Sequence, residues 1–326
     1  MRRLLLCLLL IACQHTPTRE DVVRQLVSQR LVPDQQALSA RSRELTFALS
    51  KPNVELDAAR KAWRQALLAW ERVYVFRLGP VVDNSGLLRA RFWPLRTQAF
   101  AQRVKEPLAA ADVEQLGVSM RGMYALEWLL FASDSLRQDG SDGALARSAA
   151  KALAQNVQHY ADDALAKLGD GAALSEQLSE HGQETISKIV NQLVATVETL
   201  ATDRLATVLE MHAFKNLRAS EVQGAPSGSS RELVLAQLHA SERMYRGLSA
   251  LVLPVAPQID ERVRARFAKA LRLVSEVDGP LEQVVIRDRK KLEEAFRALK
   301  ELEVALKVDL ASALGVTLTF TAGDGD

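Results

Sequence analysis

Residues 56–78 read LDAARKAWRQALLAWERVYVFRL, and their apolar side chains return every three or four positions. That period lays them along one face of an α-helix. Working outward, the same spacing runs through residues 23–49, 113–132, 145–168, 186–209, 233–253, 263–277 and 281–310. Alternating Val, Ile and Thr runs are scarce, and the one β-like piece, Val316 to Phe320, lies in the tail. An all-α fold of packed helical bundles follows.

Residues with backbone consequences mark the ends of these helices. Pro17, Thr18 and the acids after them open the first, and Asn53 with Pro52 upstream precedes the second. Gly79-Pro80 stops the second helix, Leu253-Pro254 a later one, and Asp278-Gly279-Pro280 breaks the chain before the last. Two long irregular connections remain, residues 79–94 and 214–230, and loops of that length in compact domains tend to carry function or disorder.

The N-terminus reads as a secretion leader. Arg2 and Arg3 precede a short apolar run from Leu4 to Ile11, then Ala12 and Cys13. Leu10-Ile11-Ala12-Cys13 resembles the bacterial lipobox, whose cysteine is acylated after cleavage. About eight apolar residues cannot cross a bilayer, which needs roughly 20. The expectation is therefore a signal peptide over residues 1–12, a tether over 13–19 and a periplasmic protein held at the membrane through lipidated Cys13. Gln14 after the cysteine reads as an outer-membrane sorting signal.

Removing that leader changes the charge. The chain has 42 Lys plus Arg against 40 Asp plus Glu, and loss of Arg2 and Arg3 leaves a formally neutral mature protein. A neutral chain without a basic run gives no reason to expect nucleic acid as a partner. The only two cysteines, Cys7 and Cys13, are removed and lipidated respectively, so thiol chemistry and disulfides are excluded. Apolar content of 48% is ample for a packed core.

Chemistry enters at Glu127, a lone carboxylate in the apolar run GMYALEWLLF, residues 122–131. An unpaired acid in a low-dielectric core costs several kcal/mol or takes up a proton, so Glu127 needs a hydrogen bond, an ion pair or a bound cation. Tyr124, three residues upstream on the same helical face, is the nearest candidate donor. A satisfied structural acid and a ligand group both fit.

This stretch resembles the Gly-x-His-x-x-Glu signature of the imelysin family, the bacterial insulin-cleaving membrane protease group, with Tyr124 at the histidine position. Residues 76–84, FRLGPVVDN, running on to Trp93-Pro94, are similar to that family's FRFGP…WP segment. The end of the chain, ALGV from Ala313 to Phe320 and Asp324-Gly325-Asp326, is similar to its closing ALGV…F…DGD. The resemblance implies a duplicated pair of helical bundles, divided here as residues 20–175 and 176–326. It also implies a metal or catalytic site at the signature helix, a metallopeptidase activity and a link to iron acquisition.

Loss of the imidazole argues against zinc hydrolysis, since a phenol is a poor zinc ligand. Hard oxygen donors suit iron or calcium better. The expected ligand-binding residues are Tyr124, Glu127, Glu71, Asp83 and Asn84, with Glu127 and Glu71 as the metal-binding carboxylates. Glu71 also reads as a helix acid paired with Arg72 or Arg77, and Asp83 and Asn84 as turn residues. His181 with Glu184 and His239 with Glu242 share the His-x-x-Glu spacing, but sit in polar, charged surroundings that read as solvated helix faces. No Gly-x-Ser-x-Gly elbow or phosphate loop is present. The expected function is binding of a metal ion or small ligand in a cleft. A metallopeptidase and a non-catalytic scaffold for envelope protein partners are the alternatives.

Overall fold

A computed structural model describes residues 16–79, 85–210 and 222–318. Cys13, Asp83, Asn84 and the terminal Asp324-Gly325-Asp326 lie outside them. Among the described residues every regular element is a helix, and residues 316–318 of the β-like piece are irregular.

Ten helices build the frame: α1 (Arg19–Leu26), α2 (Val32–Leu49), α3 (Leu56–Val75), α4 (Met123–Glu127), α5 (Gly140–Leu168), α6 (Ala172–Glu180), α7 (Gly182–Thr199), α8 (Ser230–Val252), α9 (Pro257–Ser275) and α10 (Arg289–Val304). Thr18 starts α1 through a reciprocal capping box. Its hydroxyl accepts from the Asp21 N–H at 3.2 Å, and the Asp21 carboxylate accepts from the Thr18 N–H at 3.0 Å. The second helix begins at Leu56, where its apolar period begins. Asn53 does not cap it; α3 begins after Glu55, which makes no side-chain cap bond. The last long helix is also broken once more than its period suggests, at Asp288, which caps α10 by accepting from the Lys291 N–H at 3.4 Å.

The expected apolar faces are buried, but residues 113–132 do not form the single long helix their period suggests: turns and a 3-10 segment, Val118–Met120, precede α4. On α3, Ala59, Trp63, Ala66, Leu67, Trp70 and Val73 are all at most 2% exposed. Burying a large side chain stabilises the fold by about 1.5–3 kcal/mol relative to leaving it in water, so this helix is fixed chiefly by its inner face. Helix α2 packs between α3 and α5, and α8, α9 and α10 pack in sequence on the other side. Helix α1 crosses to α6, α7 and α8, while α3 packs against α8, and the buried apolar side chains form one continuous core. Residues 175 and 176 fall inside α6; the nearest turn is Gly169-Asp170-Gly171, whose glycines take φ of +59° and +79°.

Candidate functional site

Helix α3 carries Glu71 on its apolar face and Tyr74 one turn later. The chain then passes the short helix Ser85–Arg89 and presents Arg91. The signature segment is fastened against this point. The Met123 N–H donates to the Ala90 carbonyl at 2.8 Å, and Trp63 of α3 donates from its indole to the Met123 carbonyl at 2.9 Å. Gly122 makes that approach sterically allowed. Its backbone sits at φ +79° and ψ −156°, and a Cβ there would lie 2.1 Å from the Ala90 oxygen.

Glu71 has no solvent exposure and is held by cations. Arg91 Nε donates to its Oε1 at 2.9 Å and Nη2 to its Oε2 at 2.7 Å. Gln237 of α8 donates to the same Oε2, and Arg204 Nη2 stands 4.0 Å from it. Burial pushes the Glu71 carboxyl up, but the charges of Arg91 and Arg204 and the bonds from Arg91 and Gln237 outweigh it and hold the group below the usual carboxylate range. Arg91 is shifted up, its burial opposed above all by the charge of Glu71. Arg204 goes the other way. Burial, and then the like charge of Arg91, depress it, so it is the surplus cation of the cluster.

Tyr124 and Glu127 do not bond to each other. The Tyr124 phenol accepts from the Gln223 amide. The Glu127 Oε1 accepts from the Ser227 N–H at 3.2 Å and from its hydroxyl at 2.5 Å. Tyr124 is therefore not the donor for Glu127 that the spacing predicts: residues 222–229 supply both partners, four positions apart. Burial, and then the charge of Glu71, raises the Tyr124 phenol and keeps it neutral. Burial likewise pushes Glu127 up to about 7, against the partial relief of the two Ser227 bonds.

Above the Glu71 cluster opens a cleft of about 610 Å³, lined by Tyr74, Arg77, Arg91, Trp93, Arg204 and Thr207 among others. The Tyr74 ring is flanked by two guanidiniums, Arg91 with its carbon 3.9 Å and Arg77 with its carbon 4.2 Å from the ring centroid. Gln192 of α7 fixes the Arg77 backbone, accepting from its N–H at 3.0 Å and donating to its carbonyl.

The expected residues thus separate. Glu71 and Tyr124 share one electrostatic neighbourhood, and Glu127 is engaged by Ser227. Among the described residues no group of three or more His, Cys, Asp or Glu side chains converges on a point where a cation could sit. Glu71 has its charge matched by arginine, so its carboxylate is not a vacant ligand for a cation. His181 and His239 are exposed, with Glu184 paired to Lys188 at 2.8 Å and Glu242 to Arg246 at 2.6 Å. Sequence reasoning missed Arg91, Arg204, Gln223, Ser227 and Gln237. Only Arg204 had a readable cue, a cation inside the apolar period of Leu200, Ala201 and Leu205.

Comparison with known proteins is consistent with this picture. The imelysin family model matches residues 28–306, and the chain belongs to that family. Iron-regulated protein A of Synechococcus elongatus is 32% identical over 130 residues, a match spanning 37% of this chain and 35% of the relative's length. Two crystal structures share the fold. An imelysin-like protein from Psychrobacter arcticum has a TM-score of 0.75 at 16% identity, covering 93% of this chain and 97% of that one. A putative iron-regulated protein A precursor from Parabacteroides distasonis has a TM-score of 0.75 at 15% identity, covering 93% and 96%.

Proposed function

Proceeding from membership in the imelysin family, we propose that this protein binds a small ligand in the cleft beside the signature helix and serves iron-related physiology in the bacterial envelope, anchored by lipid at Cys13. The observation that carries the reading is the cleft itself. Its volume of about 610 Å³ is typical of small-molecule sites, roughly 300–1,000 Å³, and buried polar groups converge beneath it from α3, from Arg91 and from Arg204. The name of the Synechococcus relative supports the iron connection. The cation-rich floor favours a ligand other than a bare metal ion, so a role in iron physiology runs through the ligand and not through coordination by Glu71.

Native mass spectrometry of the protein isolated from bacterial envelopes tests this function. The expected result is a non-covalent small-molecule adduct and greater abundance in iron-starved cells. Equal abundance with and without iron, and no adduct in either, would refute it. Replacing Cys13 by serine should release the protein from the membrane fraction; continued sedimentation with membranes would rule out the lipid anchor.

A further inference from the structure

The cleft lining is rich in polar and charged groups, and its charges do not cancel. Among the described residues, three guanidiniums, those of Arg77, Arg91 and Arg204, and one carboxylate, that of the exposed Asp203, line the cleft, with the buried Glu71 held by Arg91 beneath. Arg91 and Glu71 satisfy each other through a two-bond fork. Arg204 remains underused. Its side chain is 6% exposed, its nearest carboxylate oxygen is 4.0 Å away, and its Nη1 has no hydrogen-bond partner. The Thr207 hydroxyl, also buried and also lining the cleft, has none either.

An orphaned buried guanidinium nitrogen is expensive, because desolvation removes its water partners without replacing them. Such a group is retained where something else supplies the acceptor. Guanidinium is planar, and two parallel N–H groups match the oxygens of a carboxylate or phosphate. The remaining walls are organic in character. Tyr74, Phe92 and Trp93 offer aromatic surface, and Leu88 and Val222 add apolar surface.

We propose that the cleft is an oxyanion-recognition site: it takes the carboxylate or phosphate group of a small organic molecule onto Arg204, supported by Arg77 and the Thr207 hydroxyl, with the body of the molecule against Tyr74 and Trp93. The assignment rests on the reading of this cleft as a ligand site. It narrows the ligand to an anion with an unsaturated or apolar body.

Saturation-transfer NMR on the purified protein, with benzoate, phenyl phosphate and the neutral isostere benzamide as probes, tests it. At least one of the two anions should bind at least tenfold more tightly than benzamide, and which of them binds better tells carboxylate from phosphate. Arg204→Gln should weaken the bound anion at least tenfold. Because Arg204 is buried and its variant could fail to fold, Arg77→Gln, at a half-buried side chain, provides a second measurement, with an expected severalfold loss. Benzamide binding as tightly as the anions, or anion affinity unchanged in folded variants, would overturn the oxyanion assignment while leaving a ligand cleft in place. No binding of any of the three probes would overturn the assignment and the ligand-site reading together.

Discussion

Arg91 grips Glu71 through two parallel bonds, Nε to Oε1 at 2.9 Å and Nη2 to Oε2 at 2.7 Å, and the carboxylate they enclose is wholly removed from solvent. This pair joins α3 to the connection after the Ser85–Arg89 helix, and Gln237 extends it to α8. Breaking one side leaves a buried cation without its counter-charge. Glu71→Met should therefore destabilise the protein by about 3–5 kcal/mol. The double variant Glu71→Met with Arg91→Met should be more stable than Glu71→Met alone, since Arg91 is the cation most exposed to the loss. Urea denaturation of the three proteins checks this; equal stability of the single and double variants would show that the pair does not act as a unit.

Glu127 makes a pH signature. Its folded-state value of about 7 stands above the ordinary 4.5. Between those values the folded protein holds a proton that the unfolded chain has released, so stability falls as pH rises through that window. Below it the group contributes no penalty, and above about pH 7 the penalty is complete, on the order of 3 kcal/mol. Glu127→Gln keeps an acceptor for Ser227 and has no charge to desolvate. The variant should gain a few degrees in melting temperature over wild type at pH 8 and match it near pH 4.5. A difference between the two proteins that does not change with pH would contradict the origin assigned to it.

Gly122 is the tightest steric point of the signature segment. Its φ of +79° with ψ of −156° is a region essentially closed to side-chain-bearing residues, and an added methyl would meet the Ala90 carbonyl oxygen, carbon and Cα. Backbone strain of this kind costs of order 1–3 kcal/mol before the clash is counted. Gly122→Ala should lower stability by at least about 2 kcal/mol and loosen the Met123 to Ala90 bond, read as faster amide exchange at Met123. Unchanged exchange there would mean that the glycine is not what permits the approach.

How much of this was legible before the fold was known depends on the range of the interaction. The period of α3 exposes its own buried face, and Thr18, Gly279 and Pro280 mark helix ends because their effects are local. The burial of Glu127 could be read from its apolar neighbours, whereas Glu71, expected to pair with Arg72 or Arg77, is buried against Arg91. Their partners could not be read that way. Ser227 lies 100 residues from Glu127, and Gln237 lies 166 from Glu71. Spacing along one helix proposed Tyr124 as the partner of Glu127, but both residues turned to a separate segment, because a buried hydroxyl and a buried acid can each be satisfied by residues 222–229 without sharing a bond. The sign of the cleft was hidden for the same reason: Arg77, Arg91 and Arg204 are scattered in sequence and become a field only when α3 and the helix carrying Arg204 come together.

Tyr124 takes the histidine position of the family motif and gives a clean test of what that position does in this chain. Its hydroxyl is the acceptor for the Gln223 amide, and both side chains are buried. Tyr124→Phe preserves the ring volume and removes only the oxygen, leaving the largely buried Gln223 N–H without its phenolic acceptor. The cost of such an orphan is about 1–3 kcal/mol, with little cavity contribution. Because Gln223 and Ser227 lie in the same turn, the loss should spread along it, raising amide exchange through residues 222–229 and freeing the Ser227 contact to Glu127. If Tyr124→Phe is as stable as wild type and residues 222–229 stay equally protected, the phenol does not fasten that turn, and the replacement of histidine at this position has no structural consequence of the kind argued.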